Sequence, residues 1–548
     1  MNEIVEQITN LKINFKKLAI FFLILLIFGI LVNWLAFPFF LKRAIQNKVV
    51  LTPKSETRKL WEKVPFPVDF KVYVFNITNP DEVTNGGRPH VQEVGPFFFD
   101  EWKEKYDLED DEEKDTVTYH MRNTFIFRPD KSCPLTGKEV ITIPHPLVMP
   151  LSVAVKRDQA PMMPLVSEAI NTMFPVEKPF YTAPFMDLFF NGIPVDCSSE
   201  VFAVKAVCTQ FATGEVKGGV KYNETHYVFS LMGGANGTDA GKFTVYRGKK
   251  RSLDVGRLLL FDDEEELVTW GEGGECNKYK GTDSTIFPPF LKKEDGLWAF
   301  AADLCISLGA YYERPSSFMG IKTLRYTIDF GDLKNEPEKH CYCTNPPDGC
   351  PPKGTMALSK CVGGPLVISL PHLYLAEPKL FDEVTGLKPN EKDHKIYLEY
   401  EIMTGTPLSA AKRLQFNLDV ESVEEIESMK NIRKMILPFF WVEESAELNK
   451  TYADMFKKLF LTIEINNSLK WTFTFFGGVG FLMCMYFNSL KPKIKEVQSQ
   501  KKVGDNFKIN LNVNKLNDTV ASESNGGTKN ILERQKSNDS TMNNSVKY

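Results

Sequence analysis

The sequence contains no GxSxG, no HExxH and no phosphate-binding loop, and its seven histidines are scattered over 548 residues. Nothing therefore assembles a nucleophile with its base, a zinc hydrolase centre or a nucleotide cradle. Carboxylates are plentiful, yet no pair is singled out by position. No catalytic residue, no metal ligand set and no cofactor is expected. The CxxC pair is missing too, which removes the common redox motif and the paired knuckles of a structural zinc site. Between its two apolar runs the chain has no Pro/Gly/Ser linker, internal repeat or low-complexity break, so this stretch reads as one large domain and not two.

Charge is absent altogether from two segments. Leu18 to Leu41 (LAIFFLILLIFGILVNWLAFPFFL) is 24 uncharged residues, about 36 Å of helix, enough to span a bilayer core of about 30 Å with some tilt. A cleaved signal peptide would be shorter and would end in small residues, whereas Phe39, Phe40 and Leu41 run directly into Lys42. Trp471 to Leu490 (WTFTFFGGVGFLMCMYFNSL) is the second candidate, bracketed by Lys470 and KPKIK. Gly477, Gly478 and Gly480 in it could seat another helix closely, but their spacing is not GxxxG and favours lipid-facing filler.

Lys12, Lys16 and Lys17 precede the first run, and ten Lys and one Arg lie from Lys491 onward, so the positive-inside rule places both termini in the cytosol. The region between keeps 51 basic and 62 acidic residues, a net of −11 hidden within a chain-wide −4. That acidity argues against nucleic acid as a partner. The expected organisation is a cytosolic N-terminus (1–17), a transmembrane helix (18–41), a glycosylated exterior domain (42–469), a second transmembrane helix (470–490) and a cytosolic tail (491–548), in a two-pass plasma-membrane protein. The tail after Val503 is rich in Asn, Ser and Lys and is predicted to be disordered. Glycosylation acceptors occur at Asn76, Asn223, Asn236, Asn449 and Asn466, the last close to the second span.

Within the exterior domain, Asp69–Thr78, Val201–Phe211, Thr225–Gly234, Lys395–Gly405 and Lys412–Val420 are β-branched and aromatic with turns between them, which predicts a mainly antiparallel β core. Against that background Met162, Leu165, Val166, Ala169, Ile170, Met173 and Phe174 recur at helical spacing. Their Met- and Phe-rich face would suit greasy ligands, although packing on a core accounts for the same pattern. A second helix is predicted over Ser422–Met435, before the apolar run ILPFFWVEES. The acidic stretch YDLEDDEEKDT (Tyr106–Thr116) lacks the alternating ligands and central glycine of a calcium loop and reads as a solvated hairpin tip.

Nine cysteines lie outside the spans, four of them in HCYCTNPPDGCPPKGTMALSKC (His340–Cys361). In an oxidising exterior they should form disulfides. Six clustered cysteines allow fifteen pairings, and spacing does not choose among them. The ladder Cys276, Cys305, Cys341, Cys343, Cys350 and Cys361, with GTDSTIFPPF, SLPHLYLA, GLKPNEKDH, MTGTPLSAAKRLQFN, NITNPDEV and EVGPFFFDEWKEK, closely resembles the class B scavenger receptor family. KLWEKVPFPVDFKVYVFN and FMDLFFNGIPVDCSSEVFAVKAVC are most similar to its insect sensory neuron membrane branch.

The resemblance implies Cys276 with Cys341, Cys305 with Cys361 and Cys343 with Cys350. Cys197 and Cys208 would then pair, leaving Cys133 buried or free. The family's lipid-modifiable cysteines just inside the membrane are missing here. It also implies an α+β membrane protein: a barrel-like, mainly antiparallel β ectodomain with an apical helical bundle, pierced by an apolar tunnel. Met162, Leu165, Val166, Ile170, Met173 and Phe174 would belong to that bundle, with Lys156 and Arg157 beside it to attract a carboxylate or a carrier. The implied partners are a long-chain lipid or pheromone, a soluble odorant-binding protein and an odorant receptor complex. A general lipid or lipoprotein scavenger receptor, or an adhesion receptor without lipid transport, are the alternatives.

Overall fold

The computed structural model describes residues 14–174, 178–271 and 274–520. Two compact units result. One joins the described residues up to Pro38 with those from Glu464; the other runs from Phe39 to Ile463.

The larger unit is built on a sheet of thirteen strands, all paired antiparallel. In chain order they are β1 (Val68–Ile77), β2 (Val91–Asp111), β3 (Thr116–Phe127), β4 (Asp239–Tyr246), β5 (Leu258–Phe261), β6 (Leu297–Ala301), β7 (Ile306–Phe318), β8 (Ile321–Thr327), β9 (Thr355–Ala357), β10 (Leu366–Ser369), β11 (Tyr397–Glu401), β12 (Thr406–Val420) and β13 (Met435–Glu447). The spatial order is β5-β4-β3-β2-β1-β13-β12-β11-β8-β7-β6, with β9 and β10 added beside β12. First and last strands are therefore neighbours, in the register Asp69↔Ser445 to Val74↔Phe440.

The two free edges, β5 and β6, are bridged by the segment at Gly281–Thr282. Leu258 N donates to Gly281 O at 3.0 Å, Thr282 N to Trp298 O at 3.1 Å, and Phe300 N to Thr282 O at 2.8 Å. Closure removes exposed edges and forces the sheet's two faces to differ. Outward residues of β3 such as Ile126 are exposed, while Phe97, Phe99, Phe70, Val72 and Phe440 point inward to the main core.

Three helices gather as a bundle: α3 (Val148–Asp158), α4 (Met163–Met173) and α5 (Phe202–Ala212), with α4 packed against both others. They follow α1 (Phe15–Val49) and α2 (Glu56–Glu62) and precede α6 (Lys450–Val520). Two predicted elements differ. Val201–Phe211 is helical, not a strand, because Val204, Cys208 and Phe211 recur at i, i+4, i+7 and all face the bundle; its β-branched content is overridden by that burial. Ser422–Met435 is not an α-helix. Val423, Ile426, Met429 and Ile432 are buried every third residue because successive turns bond Ile426 N to Val423 O, Met429 N to Ile426 O and Ile432 N to Met429 O. A period of three mimics helical spacing over so short a run.

The acidic stretch does form a hairpin tip between β2 and β3. Asp107, Glu109, Glu112 and Glu113 are exposed there, and the buried Arg247 anchors the tip through Asp110 (3.1 Å) and Glu112 (2.7 Å).

In the smaller unit, α1 and α6 are both long and apolar enough to cross a membrane. A Cβ on Gly29 would lie 2.7 Å from Phe473 Cβ, one on Gly477 2.9 Å from the Leu26 backbone, and one on Gly480 2.6 Å from the Phe22 ring; Gly478 meets open space. Gly477 and Gly480, three apart and so on one helix face, seat the opposing helix where their spacing predicts filler. Trp34 donates to Thr474 Oγ1 at 3.2 Å just beside the contact. The second helix continues to Val520, so residues 504–520 are helical where composition predicts disorder; the rest of the tail lies outside the described residues.

Gly281 sits at φ +82°, and a Cβ there would come within 1.8 Å of Trp298 O. Gly281→Ala must strain the backbone or reopen the seam, costing about 3 kcal/mol or more. Thermal unfolding of the full chain in nanodiscs should show this as a large drop in Tm, whereas Gly478→Ala leaves Tm unchanged.

Candidate ligand passage and its surroundings

The predicted apolar helix face packs inward. Val166 and Ile170 are buried in the main core with Met163 and Ala169, and Phe174 packs partly against it. Met173 faces a smaller cluster with Val195, Phe211 and Tyr227. Leu165 is half-buried, and Met162 is 43% exposed. Of the six candidates only Met162 is therefore a surface residue; the face is mostly core. Exposed apolar surface at the bundle comes instead from Phe202, 75% exposed at the start of α5, a residue that strand-like alternation had hidden.

Lys156 and Arg157 do not stand free. Arg157 donates to Glu421 Oε1 (2.7 Å) and Asp419 Oδ2 (2.8 Å), and Lys156 to Ser422 O (2.6 Å). Both cations sit in the last turn of α3, where they also complement the helix dipole. Glu421 is lowered by Arg157 and Lys156 in spite of partial burial, which raises it. The pair clamps the bundle to the end of β12 and has little left over for a ligand.

The inner surface of the barrel carries the stronger signal. Along β12 the outward residues Ala411, Arg413, Gln415 and Asn417 are buried under the 366–395 segment: Gln415 accepts from His372 N, Asn417 donates to Val367 O at 3.1 Å, and Arg413 donates to Lys395 O at 2.5 Å. The inward residues Ala410, Lys412, Leu414 and Phe416 are only half-buried, as are Val442 on β13 and Phe125 on β3. Side chains enclosed by a closed sheet retain accessible surface only if space adjoins them. The apolar wall formed by Leu414, Phe416, Val442 and Phe125 lies against Phe70, Phe440 and Phe99. Two hollows, of about 250 Å³ beside Tyr311 and Tyr312 and about 350 Å³ between Asp329 and Leu375, lie apart from this wall.

Four disulfides brace the unit: Cys197–Cys208, Cys276–Cys341, Cys305–Cys361 and Cys343–Cys350. The two bridges with sequence separations of 65 and 56 are each worth about 4 kcal/mol in the chain-entropy model. Cys133 is free and exposed, and Cys484 is free and buried. Among the sequons, Asn223 and Asn449 are exposed. Asn76 Oδ1 accepts from Thr142 N and Asn236 Oδ1 from Phe125 N, both at 2.8 Å. Asn466 is buried in the helix pair and donates to Asn33 O, so it is not an accessible acceptor. No cluster of three or more metal-binding side chains occurs among the described residues.

A closed antiparallel sheet carrying a helical cap, preceded and followed in the sequence by an apolar helix, defines a two-span barrel receptor. The chain belongs to the CD36 family, the class B scavenger receptors, whose model matches residues 20–488. Proteins named sensory neuron membrane protein 1 are among its relatives. That of Anopheles gambiae is 47% identical over 481 residues, 86% of this chain and 87% of its own. That of Aedes aegypti is 49% identical over 440 residues, 80% and 81% of the two chains. That of Manduca sexta is 41% identical over 468 residues, 84% and 88%.

His145 fixes the entry to the bundle. It is buried, its Nδ1 accepts from Leu147 N (3.3 Å) and Val148 N (3.2 Å), and its ring meets Phe174 and Tyr181 edge-on. Burial pushes the imidazole down to about 4. An unfolded histidine titrates near 6.5, so the neutral form's contribution is complete above that pH and is lost as pH falls toward 4, on the order of 3 kcal/mol in full. The Tm of the full chain should fall between pH 6.5 and 4. His394 is also held low, by burial and by His372, and contributes to the same fall; the smaller pH dependence expected of His145→Asn isolates the first group.

Proposed function

We propose that this chain is a cell-surface receptor of sensory neurons that moves lipid-like odorants, long-chain pheromones among them, through its barrel to the membrane or to an odorant receptor complex. The half-accessible inner wall carries the reading. A sixteen-carbon chain gains about 0.8 kcal/mol per buried methylene, so crossing open water from a carrier to the bilayer costs roughly 12 kcal/mol. A wall of Leu414, Phe416, Val442 and Phe125 lowers that barrier by keeping the chain covered. Met162 and Phe202 supply exposed apolar contacts at the bundle, suited to a soluble odorant-binding protein delivering its cargo. The names of the insect relatives support the neuronal setting. In this reading the ectodomain is extracellular and both termini are cytosolic, which the lysine-rich flanks of the two apolar runs support.

Leu414 and Val442 are cross-strand partners at one level of the wall. Leu414→Trp with Val442→Trp should fill the passage and reduce photolabelling of the ectodomain by a diazirine-bearing long-chain aldehyde at least tenfold, with little change in Tm. Undiminished labelling in that variant, or unchanged pheromone responses in neurons lacking the protein, overturns the reading.

A further inference from the structure

The inner wall is not apolar throughout. On β2 the inward positions run Phe97, Phe99, then Glu101, Lys103 and Lys105; on β13 they run Phe440, Val442, then Glu444; on β12, Phe416, Leu414, then Lys412; on β3, Phe127, Phe125, then Asn123. Four strands thus change from apolar to polar toward the end of the barrel where β1 begins and β13 finishes. Lys103 Nζ lies 3.3 Å from Glu101 Oε1 and 3.0 Å from Glu444 Oε2, and Lys412 Nζ lies 3.3 Å from Glu444 Oε1.

This chain of charges is incompletely satisfied. Glu101 is 2% exposed, yet its Oε2 has no hydrogen-bond partner, and neither has the buried Oδ1 of Asn123, directly opposite Lys103. The side chains of Lys103, Glu444 and Lys412 keep 17%, 26% and 37% of their surface, increasing from β2 across to β12. A buried ion network costs more than apolar packing unless its remaining valences are filled. Burial also holds the Glu101 carboxyl above the usual carboxylate range even with Lys103 beside it, which favours a proton there that Oε2 can donate. Lys103 and Lys412 hold Glu444 low against the opposing effect of its burial. With Glu101 protonated the four groups sum to one positive charge, which favours an oxygen acceptor.

We propose that this cluster is a head-group site: Lys412 and Glu101 offer donors to the polar end of a long-chain ligand that carries one oxygenated group, a carboxylate or an aldehyde, while its hydrocarbon lies along Leu414, Phe416, Val442 and Phe125. The site rests on the lipid passage proposed above but adds a recognition step that an unbroken greasy tunnel lacks. It sorts ligands by their polar end, as chain length alone would not.

The test is displacement of a fluorescent fatty acid from the full chain in nanodiscs by hexadecanoate, hexadecanal and hexadecane, the last delivered on cyclodextrin. In the wild type the two oxygenated ligands should displace the probe at least tenfold more tightly than hexadecane. Lys412→Met should remove that advantage and leave hexadecane binding unchanged, which also serves as the folding control. Glu101→Gln, which keeps a donor toward the ligand and an acceptor toward Lys103, should retain the advantage, whereas Glu101→Leu should lose it. Should Lys412→Met fail to bind hexadecane, the Gln and Leu variants decide. Equal discrimination in wild type and both Lys412→Met and Glu101→Leu, or none in the wild type, overturns the head-group site alone. A wild type that binds none of the three ligands overturns the passage and the site together.

Discussion

The pairing of β1 with β13 is the contact on which the remaining architecture depends. These strands open and close the exterior domain, and their antiparallel register, Asp69 beside Ser445, brings the two chain ends of that domain to one end of the sheet. Everything between must then leave from and return to that end: the β12–β13 turn projects toward the bundle, and the tip of the long β2–β3 hairpin lies at the opposite end. The closing bridge at Gly281–Thr282 completes the ring on the far side. A sheet with this many strands either curls or splits; here the seam segment turns curling into closure. An enclosed face follows from that topology, whether or not any single inward residue is large.

Outside the barrel, stability is distributed along the chain in different ways. The 276–361 region has few long strands and is held by three of the four cystines. Elsewhere the outward face of the sheet is tied by charge: Lys71 and Arg413 converge on Glu443, at 2.5 and 2.7 Å, under a cover that also stacks Tyr73 on Trp441. Glu93 receives both His372 Nε2 and Trp441 Nε1 at 2.6 Å. Such pairs are worth little on an open surface and more where both partners are desolvated and hydrogen-bonded. The outer cover is thus polar and largely satisfied, while inside the barrel Glu101 Oε2 and Asn123 Oδ1 stay unpaired.

Much of this organisation was legible in the sequence, in proportion to how local each signal is. Uninterrupted apolar runs marked both long helices, and β-branched alternation marked β1, β11 and β12. Three cystines have the pairing that the family resemblance implies, and Cys197 with Cys208, expected only as the pair left among the remaining three, is the fourth, with Cys133 left over. What was hidden depends on partners distant in the chain. Val201–Phe211 looks like a strand until a neighbouring helix is there to receive one face of it. Lys156 and Arg157 look available until Asp419 and Glu421, some 260 residues away, are folded beside them. Gly477 and Gly480 acquire a role only against Leu26 and Phe22. The polar band of the barrel is likewise spread over four strands, and no single strand announces it.

An apolar passage has a consequence for direction. A methylene inside the barrel and one in the bilayer are both out of water, so their free energies are nearly equal. The wall can lower the barrier to transfer without favouring either end. Any bias must come from groups that treat one part of the ligand differently from the rest, and alkyl surface cannot do that. In this barrel an inward cluster with that capacity lies on β2, β3, β12 and β13, at the end opposite the bundle. A chain entering at the bundle would meet apolar wall first and oxygen-seeking donors last, which orders its two ends along the passage.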